Sequence, residues 1–225
     1  MQLVVLIPVL FIFLYCLYRL VKDDYVFIRK NLSPELAFDL AFITLWSSLF
    51  FARLLALIAD PITGENPIVA FLSLNKGGFS LLGAMLGALL ALYLLARSKK
   101  LPLGRLFDFF SLAGSISFFF GFGLSILLVS GMERFILLGS AVIYLFLALL
   151  YRFILYPRLL NRSIKDGTLS IIFLMVFSCV STITALLPFI QKQVISISIP
   201  LVLSGFFFIF SFVLLITQAR HLKKR

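Results

Sequence analysis

The sequence predicts an all-α membrane protein with seven transmembrane helices, formed by residues 1–225 as a single domain. The chain is 62% hydrophobic and 13% charged, whereas soluble domains carry about 25% charged residues. Its apolar stretches reach the roughly 18–20 residues that a helix needs to cross a bilayer. The net charge of +11 would suit a nucleic-acid binder, but the basic residues form no continuous patch. We therefore expect no nucleic-acid partner.

Short polar or basic connections separate the predicted spans. Ser33 followed by Pro34 is a cap followed by a favourable first helical position, and it predicts the start of the second span. The apolar residues 68–74 are too few to cross the bilayer, so we expect them to lie in the interface or to re-enter. The seven spans cover residues 2–20, 36–59, 78–96, 106–129, 135–156, 169–189 and 194–217.

The basic residues predict the orientation of these spans. Sixteen of the 20 lysines and arginines lie in the connections after spans one, three and five and in the C-terminal tail. The opposite side holds only Arg53, Lys76, Arg134 and Lys192. Because cytoplasmic connections carry the excess of basic residues, the N-terminus is predicted outside and the C-terminus in the cytoplasm.

The third span begins with a glycine-rich stretch that predicts close helix packing. Gly83 and Gly87 are four residues apart and share one face of the helix. Small residues at this spacing let another helix backbone come close inside a bilayer. Gly77 and Gly78, just before the helix, suit a turn or the close approach of a lipid head group.

The same stretch carries a family resemblance. Gly77-Gly78-Phe79-Ser80-x-x-Gly83 is similar to the Gly-Gly-Met-Ser-Phe-His-Gly-Gly segment of the prolipoprotein diacylglyceryl transferase family. The resemblance extends over about residues 36–217 and includes Ala52-Arg53-Leu54, Ala96-Arg97-Ser98-Lys99-Lys100, Leu106-Phe107-Asp108-Phe109, Asp166-Gly167 and Ile199-Pro200. It implies a seven-span bacterial plasma-membrane protein. The family's enzymes move diacylglycerol from phosphatidylglycerol to a lipoprotein cysteine.

This chain departs from the family at the reactive positions. The family's histidine falls on Leu82, and the family's two arginines fall on Phe122 and Ser181. A family glutamate falls on Ala185, and further Asn and Glu positions fall on Ser125, Leu128 and Ser130. The resemblance thus implies the family's arrangement of membrane-spanning helices without its catalytic residues.

The best binding candidate is Arg53, because an arginine inside an apolar span is costly and is usually paired or functional. It is predicted to contact a lipid phosphate; the alternatives are that it snorkels to the interface or pairs with Asp60. Lys76, with the amides of Gly77 and Gly78, is a second candidate anion contact beside a helix start, against the alternative of an ordinary boundary lysine. Ser80 completes the predicted head-group site.

Other reactive groups give no catalytic site. The single histidine, His221, lies in the predicted cytoplasmic tail, and no His/Cys/Asp/Glu cluster has metal-ligand spacing, so we expect neither a metal nor a cofactor. Cys16 and Cys179 both lie in apolar spans and predict no disulfide. Asp108, three residues after Arg105, is predicted to form a structural helical pair with it.

The resulting hypothesis is a non-catalytic relative, a pseudoenzyme that holds a phosphatidylglycerol-like phospholipid or a lipoprotein or signal-bearing peptide in the family's substrate cleft. One alternative is an active transferase with relocated catalytic groups. A second is a small-solute carrier, although the spans lack an acidic relay and paired broken helices.

The charge distribution gives a direct test of orientation. A reporter fused after Arg225 is expected in the cytoplasm, and one inserted at Gly64 is expected outside, because the positive-inside rule places these connections on opposite faces. Paired phosphatase and fluorescent-protein fusions measure this. An externally active reporter at the C-terminus would contradict the predicted orientation.

Overall fold

The computed structural model describes residues 2–22, 24–29, 34–59, 67–72, 78–161, 163–192 and 199–222. All regular structure in these ranges is helical. The elements are α1 Gln2–Lys22, α2 Tyr25–Arg29, α3 Pro34–Ala59, α4 Pro67–Leu72, α5 Leu81–Ser98, α6 Leu103–Ser125, α7 Met132–Leu150, a π-helical turn Tyr151–Leu155, α8 Tyr156–Leu160, α9 Thr168–Lys192 and α10 Ile199–Leu222.

Seven of these stretches are long and apolar enough to cross a membrane, which confirms the predicted fold class. Pro34 is the first residue of α3, as predicted. The third span begins at Leu81, three residues later than predicted, because Ser80 caps the helix. The fifth span continues to Leu160 through the π-helical turn. That turn precedes Pro157, which has no backbone N–H to continue the ordinary α-helical pattern.

The described chain forms two compact units. The first contains Met1–Phe38, Pro102–Val176 and Ser211–Arg225, and the second contains Asp39–Leu101 and Phe177–Phe210. The expectation of a single membrane domain, like the predicted orientation of the termini, stays a prediction.

In the first unit, α6 packs against α1 and α7. An aromatic cluster joins α6, α7 and α9, with ring centroids between 5.1 and 6.2 Å apart. Gly114 lies beside the ring of Phe173, and a Cβ atom there would make ordinary van der Waals contact with the ring at 3.5 Å. The cluster consists of Phe118, Phe122, Tyr144 and Phe173.

A polar cluster, defined as Asp24, Arg105, Asp108 and Asp166, lies at the start of α6. The Arg105 side chain is 5% exposed, and its Nη2 donates to Asp24 Oδ2 at 2.6 Å. Its Nη1 lies 3.2 Å from Asp166 Oδ1 and also donates to the carbonyl of Leu159. Arg105 therefore ties the α1–α2 connection and the α8–α9 connection to α6.

The hydrogen bonds of Asp108 are made to residues other than Arg105, its predicted helical partner. Its fully buried carboxylate instead accepts hydrogen bonds from the backbone N–H groups of Gly167 at 2.7 Å and Ser170 at 2.9 Å. Gly167 immediately precedes α9 and Ser170 lies in its first turn, where N–H groups lack partners inside the helix. The carboxylate also interacts favourably with the positive end of the helix dipole. Asp108 thus caps α9 from a neighbouring helix.

Two backbone features bring the start of α9 close to α6. A Cβ atom on Gly104 would lie 2.9 Å from the carbonyl carbon of Asp166, so the close approach requires glycine. Gly167 has φ +95°, a conformation that favours glycine. Asp24 has a second role, since its Oδ1 accepts from the backbone N–H groups of Val26 and Phe27 and starts α2.

In the second unit, α5 packs directly on the backbone of α3, as the glycine spacing predicted. A Cβ atom on Gly83 would collide with the carbonyl oxygen of Phe51, and one on Gly87 would collide with that of Ser47. The Ser47 hydroxyl donates to the Gly87 carbonyl at 2.9 Å. This contact stabilises the helix pair with a polar interaction that needs close backbones.

The helix pair predicts a strong effect of side chains at Gly83. We expect Gly83→Leu to destabilise the fold by about 1–3 kcal/mol or more, because the side chain must displace the α3 backbone. Gly83→Ala should destabilise less. Unfolding in mixed detergent micelles measures both. Gly205→Ala is the matched control, since nothing lies within 4 Å of its added Cβ, and we expect it to be neutral or stabilising. Wild-type stability in Gly83→Leu would contradict the packing.

The polar cluster predicts unequal effects for its carboxylates. Asp24→Asn should lower the free energy of unfolding by about 3–5 kcal/mol, because it leaves the buried Arg105 charge without its closest partner. Asp166→Asn should cost at most about 1 kcal/mol, because the Asp166 side chain is 48% exposed and solvent screens its ion pair. The same unfolding measurement compares them. Equal losses would show that Arg105 does not depend on Asp24 in this way.

Candidate functional site

Arg53 lies in the last third of α3 and is only 2% exposed. Its Nε donates to the carbonyl of Phe71 in α4 at 3.2 Å, and its Nη1 donates to the carbonyl of Gly78 at 3.1 Å. Its guanidinium carbon lies 5.9 Å from the centre of the Phe79 ring. A buried arginine is therefore held by backbone acceptors, and it fastens both α4 and the residues before α5 to α3.

The residues from Gly78 to Ser80 form a short non-helical segment that leads into α5. The backbone N–H of Ser80 donates to the carbonyl of Ala52 at 3.0 Å. The Ser80 side-chain oxygen accepts from the N–H of Gly83 at 3.2 Å and caps the helix. Because Ser80 uses its oxygen as an acceptor, its hydroxyl hydrogen can still be donated.

Gly78 is the exposed residue of this segment. A Cβ atom there would have no neighbour within 4 Å, so the surface beside it is open. The space does not require glycine, and an approaching head group would meet backbone atoms at this point. Lys76 and Gly77, and the alternative partner Asp60, lie outside the described residues.

Three of the five predicted site residues, Arg53, Gly78 and Ser80, thus lie together where α3 ends and α5 begins. The arrangement combines a fixed positive charge, an open surface and a helix N-terminus, which together favour an anion. The Arg53 and Ser80 groups do not include a base that could take a proton from a thiol. The geometry supports anion binding better than proton transfer.

The positions at which the sequence resemblance is expected to place the family's reactive residues hold apolar or small side chains. Leu82 is 5% exposed, in the first turn of α5. Phe122 stacks on Tyr144 with ring centroids 5.6 Å apart. Ser181 is buried on α9, and its hydroxyl has no hydrogen-bond partner in the part of the chain that the structure describes. Ala185 lies one turn further along α9.

The sequence did not indicate that Arg53 binds the backbone carbonyls of Phe71 and Gly78. Every residue has a carbonyl group, so no residue type marks an acceptor of this kind.

One comparison with known proteins gives a match. A model of the prolipoprotein diacylglyceryl transferase family matches residues 3–122. The comparisons with curated proteins and with solved structures found no match. The matched residues are more than half of the 225-residue chain and include Arg53, Leu82 and Phe122. The chain therefore belongs to the prolipoprotein diacylglyceryl transferase family.

Proposed function

We propose that this protein binds an anionic phospholipid in the bacterial plasma membrane without transferring its diacylglyceryl group. The observation that carries the proposal is Leu82, a buried leucine at the position where the family resemblance places a histidine. Seven membrane-crossing helices and the family match support a lipid partner. A lipoprotein or signal-bearing peptide is a further proposed partner, because the family acts on lipoproteins.

The transfer reaction makes demands that these residues do not meet. A cysteine sulfur must form a bond to the glycerol carbon of the lipid while that carbon loses its bond to the phosphate oxygen. The thiol proton must go to a base, and the leaving phosphate must be stabilised by cations. Leu82 cannot accept a proton. The only histidine of the chain is His221, near the C-terminus and far along the chain from α5.

The cations of the reaction are missing in the same way. The resemblance places an arginine at Phe122, whose ring is instead held between aromatic neighbours in the first unit. It places another at Ser181, which carries no charge. Loss of one such base or cation typically lowers the rate by about 10²–10⁴. Groups that act as a unit fail together, so the losses do not simply add.

Binding makes smaller demands, which the Arg53 site can meet. The hydrogen bonds to Phe71 and Gly78 fix the guanidinium without removing its charge. The open surface at Gly78 and the start of α5 lie beside it. A phosphodiester head group would be attracted by the charge and by the helix N-terminus, while its acyl chains stay in the bilayer. We propose Lys76 and Gly77 as further contacts of this head group.

The proposal predicts binding without turnover. Purified protein incubated with phosphatidylglycerol and a lipoprotein peptide should give no diacylglyceryl transfer above the no-enzyme control, as measured by mass spectrometry of the peptide. Phospholipid should co-purify with the protein. Arg53→Gln should lower the anionic fraction of this lipid because it removes the charge, whereas Arg53→Lys, which keeps the charge, should retain more of it.

The two alternative functions, an active transferase and a small-solute carrier, predict different results in these experiments. Transfer above the control that is abolished by Arg53→Gln would show an active transferase with relocated groups and would overturn the proposal. Uptake of a small solute into proteoliposomes would indicate a carrier. If the Arg53→Gln and Arg53→Lys proteins both fold and co-purify with the same fraction of anionic lipid, Arg53 is not part of the lipid-binding site.

A further inference from the structure

The end of α5 opposite to Ser80 carries a compact group of cations. We call Arg97, Ser98, Lys99 and Lys100 the basic turn. All four residues are exposed. Two ion pairs, both made by Arg105, are found in the described ranges, and neither involves the basic turn. Three positive charges therefore face outward within four residues.

The backbone of the basic turn has a conformation that glycine normally supplies. The N–H of Leu101 donates to the carbonyl of Ala96 at 2.8 Å, and the N–H of Lys100 donates to that of Arg97 at 3.3 Å. This pair of bonds is the Schellman motif, which places the residue after the cap in the left-handed region. That residue is Lys100, with φ +53°, and among the described residues it is the one non-glycine with positive φ.

A lysine at this position lowers stability, because its Cβ crowds the backbone in the left-handed conformation. Residues held in such conformations occur preferentially at functional sites. The conformation also fixes the direction in which the Lys100 side chain leaves the helix end. Lys100 therefore destabilises the turn but places a positive charge at a fixed position.

Arg97 is pre-oriented by a second contact. Its Nη1 donates to the hydroxyl of Tyr93, one turn earlier on the same helix, at 3.0 Å. Tyr93 is 44% exposed. Tyrosines beside arginines and lysines at a helix end are typical of the level where lipid head groups lie. The remaining guanidinium N–H groups of Arg97 can donate in pairs to phosphate oxygens.

We propose that the basic turn binds the phosphate of an anionic phospholipid in the leaflet where α5 ends. Arg97 supplies paired donors, and Lys99 and Lys100 supply point charges. The lipid is the expected source of the phosphate because α5 is a membrane-crossing helix, so its end lies at head-group level. The Arg53 site lies at the other end of α5, and the proposal does not depend on it.

The test separates stability from binding at one residue. Lys100→Gly should raise the melting temperature by about 2–4 °C, because it relieves the left-handed lysine. It should weaken the affinity for phosphatidylglycerol about fivefold, because one cation near a lipid surface is lost. Lys100→Asn, which is neutral and tolerates the same backbone, should weaken binding equally. Fluorescent phosphatidylglycerol titrated into the delipidated full chain in nonionic detergent measures the affinity.

Controls distinguish this site from the Arg53 site. Arg134→Ala removes an exposed cation at the start of α7 and should leave the affinity unchanged. The fold-change caused by Lys100→Gly should be the same in the wild-type and Arg53→Gln backgrounds. Soluble glycerol phosphate should not displace the lipid; complete displacement would show a free-phosphate site and overturn the lipid assignment. Unchanged lipid affinity in both Lys100 variants would overturn the proposal altogether.

Discussion

The buried charge of Arg105 sets the arrangement of the first unit. A guanidinium that has left water needs compensation by nearby carboxylates and acceptors. Asp24 and Asp166 supply the negative charge, and the carbonyl of Leu159 supplies a further acceptor. Arg105 also lies over the ring of Phe109, which stacks on Phe27 of α2. These partners come from the α1–α2 connection, from α8 and from the α8–α9 connection, so one side chain restricts where α2, α8 and the start of α9 can lie.

The fold was largely predictable because the bilayer requires long apolar helices, and composition reveals these directly. Hydropathy located all seven spans, and the four-residue glycine spacing predicted that α5 packs closely on another helix, although not that this helix is α3. The pattern did not predict α2, whose five residues start at a cap made by Asp24. Nor did it predict the partners of Arg105, since Asp24 is 81 residues away along the chain. Local periodicity carries no information on such pairs.

The sequence predicted part of the candidate site, namely its buried arginine, but not the hydrogen-bond partners of that arginine. The cost of burying a cation made Arg53 a candidate from the sequence, but two of its acceptors are the backbone carbonyls of Phe71 and Gly78, a group that every residue possesses. Family membership accounts for the arrangement of the helices. Residues such as Leu82 and Phe122 account for the proposed loss of the diacylglyceryl transfer reaction. A fold constrained by the bilayer and by Gly83 and Gly87 can persist after individual reactive side chains have changed. The proposed loss of the reaction is therefore compatible with a retained helical fold.

Asp108 has a consequence for the order in which the chain assembles. Its carboxylate lies on α6, while the N–H groups that it accepts from belong to Gly167 and Ser170. During synthesis Asp108 is added 59 residues before Gly167. The carboxylate therefore lacks these two hydrogen-bond donors until the start of α9 has been made. The Asp24–Arg105 pair can form before α9 is made, since both of its members precede α7. Synthesis from the N-terminus thus supplies the Asp24 partner of Arg105 before it supplies Asp166 and the amides that Asp108 caps.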